Sequence, residues 1–266
     1  MDRSGFNTII YERREQVAWV TLNRPEVHNA FNVEMIEEMT EVVHRVKEDG
    51  AVRVVVLTGS GKSFCAGADL NWLREIVHYS FKQNLEESRA LADVLHQLYA
   101  LPKPTIAMVN GAAIGGGTGF LSACDIAVAA EEAVFGLSEV KIGLVPAAIS
   151  PYVLRKIGES KAREYFLTGK RILAKKAYEI GLVNEVVPLE KLNESVDRLI
   201  ENLLTSGPEA MAGCKELIMR TSNARIEDVK EFTANMIANL RVSKEGQEGM
   251  ASFLEKRKPN WIKNKT

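Results

Sequence analysis

Residues 105–123 read TIAMVNGAAIGGGTGFLSA, an apolar run followed by three consecutive glycines and then a second apolar run. The first run, 105–109, predicts a buried strand, and residues 118–123 are expected to form the start of a helix. Gly115, Gly116 and Gly117 have no side chains to cover their backbone N–H groups. Exposed N–H groups at a helix N-terminus stabilise a negatively charged oxygen.

A single carboxylate, Glu139, follows about twenty residues after the glycines, beyond a second predicted strand at residues 125–130. Its neighbours in the run FGLSEV, residues 135–140, are mostly small or apolar. N–H donors beside one acid or base are typical of chemistry at a carbonyl group. We expect the pKa of Glu139 to be raised, because burial disfavours the charged form.

Composition predicts an ordinary globular protein. The 266 residues are 46% hydrophobic, enough for one large domain or one domain with a helical appendage. The net charge of −1 and the mixing of both signs argue against a nucleic-acid partner, and only the tail from Lys256 to Lys265 is locally basic.

Cysteine usage and the apolar pattern indicate the compartment. Cys65, Cys124 and Cys214 are widely spaced and form no CxxC pair, which argues against a disulfide framework and against a metal site. Residues 1–5 are polar, and no apolar run is long enough to span a bilayer. We therefore expect a cytoplasmic protein with no membrane partner.

Apolar spacing predicts the order of the other elements. A hairpin is expected from residues 8–11 and Val17–Leu22 around a charged turn at 13–15, then a helix over Val33–Glu48 and a buried strand at 52–57. A polar stretch through Ser80 precedes a helix at 85–98. Short helices at 152–157 and 160–167 and an edge strand at 184–188 follow, and from residue 192 onward the pattern is helical only.

Two apparent nucleotide-binding motifs fail on spacing. Residues 59–63, GSGKS, end like a phosphate-binding loop, but the first glycine of that motif would fall at Val56. The triplet 115–117 does not complete GxGxxG, because Phe120 stands in place of the third glycine. An ordinary turn at 59–63 is the better interpretation.

Several separated motifs resemble, in order and spacing, those of the crotonase (enoyl-CoA hydratase/isomerase) superfamily, over almost the whole chain. The motifs are residues 22–25 with 29–30, 64–69, 110–111 with 115–117, 124–125, 135–136 with Glu139, and 249–250 with 253–258. Residues 143–151, GLVPAAISP, with the segment 86–104 before them, look most like bacterial methylglutaconyl-CoA hydratases.

The resemblance implies an α/β fold, a spiral of repeated β-β-α units. Residues 1–191 would form the core with the CoA and active sites, and residues 192–266 a helical region for trimerisation and CoA contact. It also implies a homotrimer or a dimer of trimers. The substrate would be an acyl-CoA thioester, with no separate cofactor because coenzyme A is part of the substrate.

By motif position, the resemblance implies that the backbone N–H groups of Ala68 and Gly116 polarise the thioester carbonyl while Glu139 transfers a proton. It assigns further substrate contacts to Val27, Ala30, Ala66, Asp69, Leu70, Gly115, Gly119 and Ala147. Phe253 and Lys256 would reach a CoA bound to a neighbouring subunit, where the lysine could pair with phosphates.

One position departs from the family pattern. Hydratases of the family generally use two glutamates, and the first would fall at Gly119, which cannot transfer a proton. Either Glu139 alone passes the proton, or another group assists. Hydration of a 2-enoyl-CoA with a short, branched or carboxylated acyl group is favoured. The alternatives are an enoyl-CoA isomerase with a single glutamate, a thioester hydrolase and a non-catalytic thioester- or RNA-binding member.

Other polar residues have structural interpretations. The position of Asp69 is more typical of a turn or helix cap than of a catalytic group. Asp125, at the start of a strand, is expected to make a buried structural hydrogen bond. Cys65 and Cys124 are expected to pack as small apolar groups, because no histidine is placed to activate either.

Overall fold

The computed structural model describes residues 5–262 and contains two sheets and ten α-helices in that range. The strands are β1 (Ile9–Arg14), β2 (Val17–Leu22), β3 (Val54–Gly59), β4 (Ser63–Cys65), β5 (Thr105–Val109), β6 (Ala112–Ile114), β7 (Ile126–Ala130), β8 (Val134–Gly136), β9 (Arg171–Leu173) and β10 (Glu185–Val187). The helices are α1 (Val33–Glu48), α2 (Leu70–Ile76), α3 (Phe81–Ala100), α4 (Gly116–Ala123), α5 (Ser150–Thr168), α6 (Ala174–Glu179), α7 (Leu192–Leu204), α8 (Pro208–Thr221), α9 (Ile226–Val242) and α10 (Lys244–Leu254).

Successive β-β-α units build both sheets. The pairs β3–β4, β5–β6 and β7–β8 each send their first strand to a six-stranded sheet, ordered β1-β2-β3-β5-β7-β10, and their second to a four-stranded sheet, ordered β4-β6-β8-β9. Neighbouring strands from these three units run parallel in both sheets. Because every unit advances by one strand in each sheet, the chain winds as a spiral, which confirms the predicted fold class.

Helix α1 has the bounds that its apolar spacing predicts, Val33–Glu48. The Asn32 side chain caps it by accepting a hydrogen bond from the Met35 N–H at 3.0 Å. The apolar face of the helix is buried, with Ile36, Met39 and Val43 each at most 5% exposed. This face joins the main hydrophobic core.

The opposite face of the six-stranded sheet is covered by α7. Its residues Leu192, Val196 and Ile200 pack with strand residues that include Val54 and Ile106. The helix that opens the predicted C-terminal region therefore contributes to the core. The helical pattern expected beyond residue 192 is confirmed by α7 to α10. The division into two regions at residue 191 stays a prediction.

Two local expectations are wrong, at the first turn and at the start of α3, and one helix, α2, was not predicted. Arg13 and Arg14 belong to β1 rather than to the turn, which centres on Glu15 with φ 52°. The polar stretch after Leu70 contains α2, because Asp69 caps it. Helix α3 begins at Phe81 rather than near residue 85, since Ser80 and Gln83 form a capping box.

The other segments follow prediction closely. The two short helices expected at 152–157 and 160–167 appear as the two halves of α5, separated by a non-helical Gly158 with φ 70°. Strand β10 is an edge strand, as predicted for 184–188. In the described part of the chain, no helix has the length and apolar character needed to cross a membrane. Residues 1–4 and the end of the basic tail, including Lys263 and Lys265, lie outside the described residues.

Candidate active site

Three predicted catalytic groups follow three neighbouring parallel strands of the smaller sheet. Ala68 comes three residues after β4, Gly116 two residues after β6, and Glu139 three residues after β8. Both strand pairs, β4–β6 and β6–β8, are parallel. The carboxyl ends of these strands therefore meet at one edge, and ligands of parallel sheets bind outside such ends.

The glycine triplet forms the junction between β6 and α4. Gly115 is the residue before the helix and has φ 53°, a conformation that favours glycine. Its N–H donates to the Gly136 carbonyl at 2.8 Å, which ties the junction to the end of β8. Gly116 is the first residue of α4, so its N–H has no acceptor within the helix. This N–H is available to a ligand at the positive end of the helix dipole.

The second free N–H group belongs to Ala68. Ala68 and Phe31 form a parallel bridge, in which the Phe31 N–H donates to Gly67 O at 2.8 Å and the Asp69 N–H donates to Phe31 O at 2.9 Å. Because peptide groups alternate in direction along an extended chain, the Ala68 N–H points away from Phe31. Within residues 5–262, neither this N–H nor that of Gly116 donates to another part of the chain.

Close packing holds the loops that carry these two amides together. A Cβ on Gly117 would lie 2.3 Å from Cys65 O, and one on Gly67 would lie 3.0 Å from Ile114 O. The Phe31 ring packs on Gly116, where a Cβ would lie 2.3 Å from Cε1. Backbone therefore touches backbone between the loops, and side chains at 116 or 117 would separate them.

Glu139 begins a 3₁₀ turn, Glu139–Ile142, and its carboxyl group reaches the glycine junction. A Cβ on Gly115 would lie 3.2 Å from Glu139 Oε1. The Oε2 atom is buried and has no hydrogen-bond partner among the described residues. Burial raises the pKa of Glu139, although a hydrogen bond from its own backbone N–H opposes the shift. A buried carboxyl group with a free acceptor atom and a raised pKa is suited to proton transfer.

Gly119, where a first glutamate would stand, is covered by an apolar side chain. A Cβ on Gly119 would lie 2.2 Å from Ile149 Cγ2 and 3.8 Å from Leu95 Cδ1. Gly119 is buried, and Ile149 is 3% exposed. The space that a second carboxylate would need is therefore filled by Ile149, whose role has no signal in the sequence beyond its place in the segment 143–151.

Arg24 ties together the two segments predicted to contact CoA. Its guanidinium donates to Ala30 O at 2.6 Å and pairs with Asp69 Oδ2 at 2.8 Å. The Ala66 N–H also donates to His28 O at 3.0 Å, so the segments around Val27 and Leu70 are directly joined. Arg24 belongs to the motif at residues 22–25, and nothing in the sequence alone indicates this role.

Asp69 is a helix cap, the structural role that its sequence context favours over catalysis. Burial of its carboxylate is outweighed by hydrogen bonds from the Asn71 N–H and from Arg24, which lower its pKa. Its side chain accepts from the Asn71 N–H at 2.7 Å and so caps α2. It therefore fixes the loop that carries Ala68, while a direct contact with substrate stays a prediction.

The remaining predicted substrate contacts lie at more exposed positions. Leu70 is 70% exposed, whereas Ala30 is buried. Ala147 is exposed and its N–H donates to Val145 O at 2.8 Å. Phe253 is 82% exposed near the end of α10, and Lys256 just beyond it is also exposed. Their predicted contact with a CoA on a neighbouring subunit concerns an assembly larger than this chain.

The structural interpretation of the cysteines is confirmed, and Asp125 makes structural hydrogen bonds as expected although its side chain is 27% exposed rather than buried. Cys65 and Cys124 are buried, and burial raises the pKa of each thiol to about 12, which keeps it protonated and unreactive. Asp125 accepts from the Thr105 N–H at 2.7 Å and pairs with Lys215 Nζ at 2.6 Å. Asp125 therefore links the start of β5 to α8.

Comparisons with known proteins agree with this geometry. The model of a family described as enoyl-CoA hydratase/isomerase matches residues 12–264. A putative enoyl-CoA hydratase of Thermus thermophilus is 37% identical over 253 residues, 95% of this chain and 100% of that protein. A short-chain-enoyl-CoA hydratase of Clostridium acetobutylicum is 34% identical over 265 residues, 97% of this chain and 99% of that protein.

A solved structure gives the same answer for the fold. The crystal structure of an enoyl-CoA hydratase from Shewanella pealeana superposes with a TM-score of 0.95 at 40% identity, covering 97% of each chain. Fold, relatives and family model therefore agree over nearly the whole length. The chain belongs to the enoyl-CoA hydratase/isomerase family and is an enzyme of that family.

Proposed function

We propose that this enzyme adds water reversibly to a 2-enoyl-CoA thioester and forms a 3-hydroxyacyl-CoA. The observation that carries the proposal is the buried, unpartnered Oε2 of Glu139 at the glycine junction, at the strand edge where the N–H groups of Ala68 and Gly116 are free. The names of the relatives from Thermus and Clostridium support the same reaction.

The reaction needs a place for negative charge. The N–H groups of Ala68 and Gly116 would donate to the thioester oxygen, which becomes an enolate oxygen when a nucleophile adds at C3. Fixed N–H donors bind that charge without having to reorganise during the reaction. Losing one donor of this kind costs about 3–4 kcal/mol, or roughly 10²–10³ in rate.

Glu139 would supply both proton-transfer steps. Its carboxylate takes a proton from water while the oxygen of that water bonds to C3, and the C2=C3 electron pair moves toward the thioester oxygen. The resulting carboxylic acid then returns the proton to C2 as the enolate collapses. A single carboxyl group therefore carries out both proton transfers. One water molecule is added to the substrate, and Glu139 ends as the carboxylate.

The acyl group is proposed to be short, and branched or carboxylated, as in 3-methylglutaconyl-CoA. Support comes from the segment 143–151 and from Ile149, which fills the space above Gly119. The assay follows the loss of enoyl-thioester absorbance with crotonyl-CoA and with 3-methylglutaconyl-CoA. If crotonyl-CoA is hydrated and 3-methylglutaconyl-CoA is not, the hydratase proposal stands and the carboxylated substrate is excluded.

A second candidate, isomerisation of a 3-enoyl-CoA to the 2-enoyl form, is favoured by one observation. Ile149 replaces a second carboxylate at the site, and moving one proton between carbons needs only one carboxyl group. If neither enoyl-CoA is hydrated and a 3-enoyl-CoA is converted, the isomerase replaces the hydratase. Release of free CoA thiol, measured in parallel, would instead identify a thioester hydrolase.

The proposed assembly is a homotrimer or a dimer of trimers, located in the cytoplasm. Support for the assembly comes from large apolar side chains left exposed on the C-terminal helices of the single chain, including Ile226 at 80% and Leu254 at 78%. Covering such side chains with a partner chain removes apolar surface from water and favours association.

A further inference from the structure

One face of α4 leads away from the catalytic carboxyl group. Gly115 directly precedes α4, and Gly119 and Ser122 lie on the same side of the helix, three residues apart. The Gly119 N–H donates to Gly115 O at 3.1 Å, which places them one turn apart. Since Glu139 Oε1 lies over Gly115, the same face continues from the site of proton transfer toward Gly119.

Ile149 closes this face one turn from Glu139. Its Cγ2 lies 2.2 Å and its Cβ 2.9 Å from the position that a Cβ on Gly119 would occupy. Leu95 adds a second apolar wall and is 0% exposed. A chain of carbon atoms that follows α4 away from Glu139 would therefore meet Ile149.

A cavity begins one helical turn beyond this closure. Leu95, Gly119 and Ile149 are followed on their helices by Tyr99, Ser122 and Tyr152, all of which line a cavity of about 590 Å³. Met211, Ile218 and Met219 of α8 form an apolar wall of the same cavity. Its volume is within the range of about 300–1,000 Å³ found for small-molecule pockets.

The polar groups that line the cavity also indicate that it has room for a ligand. Ser122 is 1% exposed, and its Oγ has no hydrogen-bond partner among the described residues. A buried hydroxyl without a partner is rare in a filled interior. The ammonium groups are held at the wall, since Lys215 Nζ pairs with Asp125 Oδ2 at 2.6 Å and Lys156 Nζ donates to Asp125 O at 2.9 Å.

We infer that Ile149 sets the acyl-chain length by closing the acyl pocket against the cavity lined by Tyr99, Ser122 and Tyr152. The inference rests on the proposed function, because it takes C2 and C3 of the substrate to lie beside Glu139. Carbons beyond C4 then leave along α4, away from the CoA segments. Removing Ile149 Cγ2 joins the two spaces and admits a longer chain.

The test compares kcat/KM for crotonyl-CoA and 2-decenoyl-CoA in the wild type and four variants. Ile149→Ala removes Cγ2 and should raise the ratio of decenoyl to crotonyl activity about tenfold or more, since each methylene placed in an apolar pocket changes specificity by about that factor. Ile149→Val keeps Cγ2 and is the matched control, and Ile157→Ala removes a buried isoleucine elsewhere on α5; both should keep the wild-type ratio. Ser122→Phe added to Ile149→Ala refills the cavity and should return the ratio to that of the wild type.

An unchanged ratio in folded Ile149→Ala, or an equal gain in Ile157→Ala, would overturn the inference. If Ile149→Ala does not fold, binding of saturated acyl-CoAs to the wild type decides. A closed pocket predicts that decanoyl-CoA binds no more tightly than butyryl-CoA, whereas tenfold tighter binding would show the pocket to be open already. Binding needs no turnover, and hydration of crotonyl-CoA by the wild type tests the proposed function separately.

Discussion

At the scale of single residues, Glu139 combines burial with an unused acceptor. Its Oε2 has no partner in the described part of the chain, and burial raises its pKa. A buried acceptor left free is costly unless a substrate or water uses it. The same environment that weakens the native fold leaves this carboxyl group free to accept and return a proton.

The raised pKa gives a prediction for activity against pH. Because Glu139 must be ionised to take a proton from water, kcat/KM for crotonyl-CoA should fall on the acidic side with an apparent pKa above the ordinary glutamate value of 4.5. Steady-state rates from pH 4 to pH 8 measure it. An acid limb at or below 4.5, in an enzyme shown to stay folded at that pH, would contradict the assignment.

The same shift has a consequence for stability. A native pKa above the unfolded value makes a contribution that is present below the unfolded pKa and is lost as the pH rises through the native pKa. Glutamine does not ionise, so Glu139→Gln should gain stability relative to the wild type as the pH rises. Thermal unfolding of both proteins at pH 5 and pH 8 checks the sign, and a gain at pH 5 that shrinks at pH 8 would contradict it.

At the scale of elements, the predictable parts are those with strong local patterns. The apolar spacing of α1 predicts both ends of the helix. The pairing of β1 with β2 and the strand–glycine–helix junction at 105–123 are also predicted from the sequence. Helix α2 is missed because its start depends on the Asp69 cap within a polar stretch. Strand β4 is too short for a recognisable pattern.

In the candidate site too, residues with a local sequence pattern are predictable, and residues placed by tertiary contacts are not. Gly116 and Glu139 stand out because glycines and a lone carboxylate among apolar residues are visible in sequence. The Ala68 amide was assigned only by resemblance, since its free direction comes from a bridge to Phe31. The contact between Ile149 and Gly119 joins residues on two helices, and neither helix alone predicts it.

The packing of α4 against Ile149 gives a prediction at this scale. Gly119→Glu should lower the melting temperature, because the new side chain overlaps Ile149 Cγ2 and overpacking costs about 1–3 kcal/mol. Adding Ile149→Ala should recover part of that loss, since the space is then free. Thermal unfolding of the two single variants and the double variant gives the coupling energy between the sites.

The control for this cycle replaces Ile149→Ala by Ile157→Ala, which removes a buried isoleucine of the same helix. It should add its own destabilisation to that of Gly119→Glu without any recovery. A Gly119→Glu variant that melts with the wild type, or equal behaviour of the two double variants, would show that Ile149 does not occupy the space above Gly119.

At the scale of the whole molecule, the spiral explains how distant residues reach one site. Each β-β-α unit places one loop at the same edge of the smaller sheet, so residues near 68, 116 and 139 become neighbours. The enoyl-CoA hydratase from Shewanella pealeana shares this arrangement with a TM-score of 0.95.

The exposed apolar side chains of the C-terminal helices predict association. Val242 and Phe253 are 77% and 82% exposed in the single chain, and such groups gain stability when a partner covers them. Light scattering coupled to size exclusion should give three or six times the 29.5 kDa of one chain. A monomer at micromolar concentration would contradict the proposed assembly.

The most direct measurement of the central claim compares hydration of crotonyl-CoA by the wild type and by Glu139→Gln, with butyryl-CoA binding measured on both. Proton transfer by Glu139 predicts a loss of about 10²–10⁴-fold in kcat. Because the N–H groups of Ala68 and Gly116 remain in place, butyryl-CoA should bind with nearly unchanged affinity. Turnover of crotonyl-CoA by Glu139→Gln at the wild-type rate would contradict the account.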